Sequence, residues 1–194
     1  MHVIPASQQR RVRWKNDGGW TTEIARDPAA GEAFRWRLSI AEIERDGPFS
    51  TFPGIDRHLL LLDGRGIELD FADAPSRRLA QRFEQVQFAG EVAVQCHLLG
   101  GATRDFNVMV QRAQLRAEVV ARPLTGSMLI FARPGVEWLV HVLSGQLAAQ
   151  CDDHTLQAAA GDTVHVDCRA RTATTRVALD GGGEIVLVQL LPGS

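Results

Sequence analysis

The amino-acid sequence predicts an all-β protein built as two small tandem barrels, with few or no helices. Three observations predict it. Apolar and polar residues alternate in many short runs, the period-two signature of half-buried strands. Glycine-containing turns punctuate these runs at roughly 8–12-residue intervals, the spacing of a sandwich or barrel. Long stretches of 3.6-residue periodicity are missing, and only 76–85 is consistent with a short helix.

The elements follow in order. Over 34–43, Phe34, Trp36, Leu38 and Ile40 share one face and Arg35, Arg37 and Ser39 the other. Residues 57–71 read as a hairpin turning at Asp63-Gly64-Arg65-Gly66. In 92–98, Val92, Val94, Cys96 and Leu98 oppose Ala93, Gln95 and His97; in 105–110, Phe106, Val108 and Val110 oppose Asp105, Asn107 and Met109. The stretch 111–125 ends this first set, which predicts domains at 1–112 and 113–194. The second half repeats the style with strands at 127–132, 136–143, 154–158, 162–167, 174–179 and 184–191, and with turns at Ser144-Gly145 and Asp180–Gly183. Two stretches break the rhythm. WKNDGGWTT at 14–22 sets a glycine pair between tryptophans. DGPFSTFPGID at 46–56 is a loop stiffened by proline and anchored by Phe49 and Phe52, expected to close over one end of the first barrel on the side of Asn107.

Composition narrows the function. The chain has 194 residues, 45 % of them hydrophobic, and a formal charge of -2. Its densest basic cluster is Arg10, Arg11 and Arg13, too small a face for a nucleic-acid partner. No run of about 18 apolar residues is present, so no spanning helix is expected. The first residues lack an apolar signal-peptide core, and a cytoplasmic location is expected. Cys96, Cys151 and Cys168 are too scattered for a disulfide framework or a zinc site, and Cys96 reads as a buried thiol. All but one of the 21 basic residues are arginine, the exception being Lys15; the only asparagines are Asn16 and Asn107; tyrosine is absent. Lysine offers a compact point charge and asparagine an uncharged donor-acceptor pair, so these three survivors of a compositional bias are candidate functional residues.

The histidines form no HxH or HExxH, and no CxxC occurs. PGVEWLVHVLSGQL followed by AAGDTVHVD is similar in outline to the two cupin motifs, but Leu139 stands where the first motif of metal-binding members has a histidine. His141 and His165 are therefore read as structural, and no metal or other cofactor is expected. What remains is a polar constellation in the first half: Lys15, Asn16, Thr21, Glu23, Arg37, Ser39, Arg57, His97, Asp105 and Asn107. On strand alternation Arg37 with Ser39, and Asp105 with Asn107, turn away from the most apolar side chains, towards either solvent or a pocket. Such a pocket would offer Arg and Lys to a carboxylate, with Asn and Ser orienting it.

The strings WKNDGGWTTEIA (14–25), WRLSIAEI (36–43), DGPFSTFPGIDR (46–57) and DFNVM (105–109) together resemble the HutD/Ves family, strongly over about 3–112 and loosely beyond. The resemblance implies a bicupin fold. It also implies a link either with bacterial histidine-utilisation genes or with stress-induced expression. An N-formylglutamate-like acid is then the candidate ligand, bound in a regulatory or accessory role. The family string is usually WKNGGG, and Asp17 replaces its first glycine. The expectation is a ligand-binding protein without catalytic residues. It would hold a small acidic metabolite through Lys15, Asn16, Thr21, Arg37, Ser39, Arg57, His97, Asp105 and Asn107, with no nucleic-acid or membrane partner and a homodimer left open. The alternatives are a metal-independent isomerase or hydrolase using Asp105, Glu23 or His97 as acid or base, and a scaffold without a ligand.

Overall fold

Alternating side chains become strands all along the chain, from His2 to Pro192. The computed structural model describes residues 1–31 and 33–193. In chain order the strands are β1 (His2–Ile4), β2 (Arg10–Arg13), β3 (Gly19–Asp27), β4 (Trp36–Ile43), β5 (Gly47–Pro48), β6 (Ile55–Asp63), β7 (Ile67–Phe71), β8 (Arg77–Leu79), β9 (Gln85–Ala89), β10 (Val94–Leu98), β11 (Thr103–Gln111), β12 (Leu115–Ala132), β13 (Glu137–Cys151), β14 (His154–Ala159), β15 (Thr163–Asp167) and β16 (Thr175–Pro192). Among the described residues the only helical piece is one 3₁₀ turn at Ala6–Gln8, and no helix is long and apolar enough to cross a membrane. The chain divides into two compact units, one of Gln9–Leu115 and one joining Met1–Gln8 to Arg116–Ser194.

The Gln9–Leu115 unit contains two antiparallel sheets, ordered β2-β3-β4-β11-β6-β9 and β5-β10-β7-β8. Ile43, Leu59 and Leu61 of the first form one core cluster with Ile67, Leu69, Leu79, Val94 and Cys96 of the second. The barrel expected here is not a closed ladder: the described strands form two open sheets joined through side-chain packing. The segment read as a hairpin shows why. β6 lies in one sheet and β7 in the other, so the Asp63–Gly66 turn carries the chain between sheets instead of pairing its flanks. Gly64 and Gly66 there take φ of 100° and 99°, a region that L side chains rarely adopt. Nor is 76–85 a helix. Leu79 is drawn into the core, and Glu84 accepts the N–H groups of Ala80 (2.6 Å) and Gln81 (3.0 Å) in a turn.

The second unit is a six-stranded sheet ordered β1-β15-β13-β16-β12, with β14 paired to β13. Its core gathers residues such as Leu124, Val140, Leu147, Val164, Leu179 and Ile185. The turns expected at Ser144-Gly145 and Asp180–Gly183 are not turns. Both glycine stretches lie inside the long strands β13 and β16, paired with each other across a register shift between Val142 and Ser144. A Cβ on Gly145 or Gly183 would collide with the backbone opposite, so glycine here permits a bulge in a continuous strand. The expected strands 174–179 and 184–191 are thus one strand.

Candidate functional site

Register builds the site. In the first sheet β11 is central: Asp105 lies opposite Ala41 and Leu61, Asn107 opposite Ser39 and Leu59, and Met109 opposite Arg37 and Arg57. β3 extends two of these rows, with Thr21 beside Ala41 and Glu23 beside Ser39. Because side chains alternate with period two, residues 37, 39 and 41 share a face with 105, 107 and 109. That face borders a cavity of about 700 Å³, a volume suited to a small metabolite. Every residue of the expected ligand-binding set lines it except His97. His97 sits instead between two exposed carboxylates, with Nδ1 3.1 Å from Asp46 and Nε2 3.4 Å from Asp70.

A chain of buried polar groups forms the floor. Arg57 Nη2 donates to Asn107 Oδ1 (3.2 Å), and Asn107 Nδ2 donates to Asp105 Oδ1. Arg57 Nη1 donates to the Ser50 carbonyl (3.3 Å). The guanidinium carbon lies 4.9 Å from the centroid of Phe88, 5.3 Å from Phe49 and 5.6 Å from Phe52. Two buried atoms are left without a hydrogen-bond partner, Arg57 Nε and Asp105 Oδ2. Burial pushes the Asp105 carboxyl up to about 7, against the opposing pull of Arg57 and the Asn107 hydrogen bond. Burial lowers Arg57 to about 10, where it is still a cation at neutral pH, with nearby Arg37 adding to the lowering. Arg37 is itself paired through Nε to Glu23 at 2.6 Å.

Two loops complete the walls. In the 14–22 stretch, Trp14 N–H donates to Gly19 O (3.0 Å), and Gly18 N–H donates to Asn16 Oδ1 (3.1 Å). Trp14 Nε1 donates to Thr21 Oγ1 at 2.7 Å. Gly19 lies against the backbone of Glu42, where any Cβ would clash. Asp17 has φ of 55°, left-handed backbone that glycine adopts freely and Asp tolerates. Its carboxylate is 74 % exposed and bonded to Arg13, so the extra negative charge points outward. The 46–56 loop starts as β5, paired to β10, and its Phe49 N–H donates to Val94 O (2.9 Å). Pro48, Phe49, Ser50 and Phe52 line the cavity together with Asn107, as the loop's composition led one to expect. Sequence reasoning did not find Trp14 and Met109 on the cavity wall or Phe88 against Arg57; an apolar lining residue carries no signal separate from a core residue.

In the second unit Cys151 and Cys168 are buried thiols, as Cys96 is in the first, where burial raises its thiol to about 12. His141 is buried, bonded to Thr163 Oγ1 (2.9 Å) and lowered to about 4 by that burial. Among the described residues one cluster, Glu137, His165 and Asp167, brings three potential metal donors within 4.8 Å of one another. Arg169 reaches both its carboxylates, at 2.6 Å from Asp167 and 3.6 Å from Glu137, so a guanidinium already supplies the positive charge.

Residues 6–187 match the HutD family model. The chain belongs to the HutD family. The shared family extends to an uncharacterized 21.2 kDa protein in the hutC 3′ region of Pseudomonas putida, 45 % identical over 61 % of this chain; the match spans 63 % of that protein, under two thirds of its length. Protein Ves of Citrobacter koseri is 37 % identical over 78 % of this chain and 76 % of its own. Among solved structures, HutD from Pseudomonas fluorescens SBW25 superposes with a TM-score of 0.80 at 29 % identity, covering 100 % of this chain and 99 % of that one. The bacterial pirin YhhW of Escherichia coli, solved in complex with nickel(II), shares the fold alone, with a TM-score of 0.75 at 10 % identity, covering 100 % of this chain and 99 % of that one.

Proposed function

We propose that this HutD-family chain is a bicupin, two cupin-type barrels in tandem, that binds a small acidic metabolite and acts as a regulatory or accessory protein in histidine utilisation. One observation carries the reading: a cavity of metabolite size sets the buried Arg57 cation beside Asn107, with Lys15 and Arg37 on the same wall. A carboxylate entering it would exchange hydration for charged and uncharged N–H donors. The family supports histidine utilisation as the context, through relatives whose names carry that link. N-formylglutamate is the ligand class favoured, since it presents two carboxylates and an uncharged acyl oxygen. Thermal shift and calorimetry with N-formylglutamate, glutamate, urocanate and imidazolepropionate test it. The expected outcome is saturable binding of one or more acids with a rise in melting temperature. Silence from all four at millimolar concentration sinks the reading and favours a scaffold.

A second reading rests on Asp105. A buried carboxyl titrating near neutrality in a cavity is suited to general acid-base chemistry, as in a metal-independent isomerase. Conversion of any of these acids by the protein in the presence of EDTA, lost in Asp105→Asn, would favour it over plain binding.

A further inference from the structure

The relay on the cavity floor leaves one acceptor open, beside the unpartnered Arg57 Nε. Asp105 Oδ1 is engaged by Asn107, and Asn107 Oδ1 is engaged by Arg57, but Asp105 Oδ2 is buried, unpartnered and part of a residue that lines the cavity. A buried acceptor left open costs free energy unless something fills it. A carboxylate ligand seated against Arg57 cannot fill it, because it brings a second anion beside the same cation. Two carboxylates sharing a site do not both stay ionised. One proton resolves the conflict: it neutralises Asp105 and turns the open acceptor into an O–H donor for a ligand oxygen that reaches it.

We propose that the cavity takes up its carboxylate ligand together with one proton, which binds Asp105 at Oδ2 and donates a hydrogen bond to a ligand oxygen. The proposal rests on the carboxylate-binding reading above and deepens it. The proton comes from solvent and returns there on release, so ligand and proton are bound and lost together. The other charged and titratable groups of this environment do not supply it. Arg57 from β6 keeps its charge, Arg37 from β4 is held by Glu23 from β3, and Cys96 from β10 remains a thiol near neutrality. Lys15 and Arg13, from the 14–22 turn and the strand before it, line the same cavity. Asp105 is the carboxylate with a free oxygen in this set, and its burial already places it near the neutral range. The consequence is selectivity. A protonated Asp105 favours ligands that offer an acceptor oxygen there, and disfavours those that offer an ammonium or N–H donor.

The test is calorimetric titration of the wild-type chain with N-formylglutamate at pH 6, 7, 8 and 9, in two buffers of different ionisation enthalpy. The proposal expects the Kd to rise towards tenfold per pH unit above about 7, with proton uptake approaching one per ligand at pH 8. Asp105→Asn should lose this pH dependence whatever its absolute affinity. Binding that is flat from pH 6 to 9 with no proton uptake overturns the proposal and leaves carboxylate binding standing. Binding that strengthens with pH also overturns it, because Asp105 would then be accepting from a ligand donor. Absence of binding even at pH 6 by N-formylglutamate, glutamate, urocanate and imidazolepropionate alike overturns the carboxylate-binding reading, and this inference with it. The wild-type proton count stands without the variant, so a misfolded Asp105→Asn does not decide the outcome.

Discussion

At the scale of single residues, Arg57 is the proposed ligand contact and also a structural member. In the structure it is 6 % exposed, surrounded by three phenyl rings and bonded to Asn107 and to the Ser50 carbonyl. Arg57→Ala should therefore weaken N-formylglutamate binding at least roughly tenfold, about 1.4 kcal/mol, and also lower the melting temperature of the free protein. Arg57→Lys keeps a charge and a stem but loses the planar fork, so it should keep more of the stability than of the affinity. Calorimetry and thermal melts of both variants check this; a melt unchanged in Arg57→Ala would show the stacking to be incidental. Asp105 gives a second expectation, independent of any ligand. Its folded pKa of about 7 lies above the ordinary 3.8, so the folded state holds more protons between those values. Its contribution to stability is then fully present below about 3.8 and is lost as pH rises through about 7. Urea unfolding from pH 5 to 7 should show stability falling by up to about 1.4 kcal/mol per unit from this group, and Asp105→Asn should flatten the slope. Stability of the wild type that rises across this window, with no change of slope in the variant, contradicts the assignment.

At the scale of elements, glycine and proline decided where the sequence could be read and where it misled. The 46–56 loop was legible because proline limits its backbone and two phenylalanines need burial, and it does line the cavity. The Asp63–Gly66, Ser144-Gly145 and Asp180–Gly183 stretches were not, because the same residue permits a hairpin turn, a passage between sheets or a bulge. Only the partner strands distinguish these, and they are remote in sequence. The loop has a fastening that no local motif announced. Asp46 accepts the Leu98 N–H at 2.8 Å and lies 3.1 Å from His97, and these two contacts hold its carboxyl below the usual range. His97 thus touches, from outside the cavity, the start of the loop that bears Phe49 and Phe52. Asp46→Ala should speed hydrogen exchange at the Phe49 and Phe52 amides and weaken ligand binding several-fold, with little change in the global melt. Unaltered exchange at those amides would show that β5 pairing alone holds the loop.

At the scale of the whole molecule, the all-β class and the cavity residues came from different kinds of signal. The class followed from alternation, which is local and repeated along the chain, so errors at single turns did not alter it. The cavity set came from scarcity and facing: Lys15, Asn16 and Asn107 stand out in an arginine-rich chain, and period-two spacing grouped Arg37 with Ser39 and Asp105 with Asn107. What stayed hidden depends on contacts between distant segments. Burial of Arg57 against Phe88, the open Oδ2 of Asp105 and the Arg169 bridge to Glu137 and Asp167 join residues whose proximity no spacing encodes. The account rests on one claim, that the cavity over Arg57 is where a small carboxylate binds. A crystal structure of the protein grown with N-formylglutamate tests it most directly. The account predicts a ligand carboxylate within about 2.7–3.2 Å of a nitrogen of Arg57, with a second ligand oxygen facing Asp105. A ligand bound elsewhere on the chain, with this cavity holding only water, would contradict it.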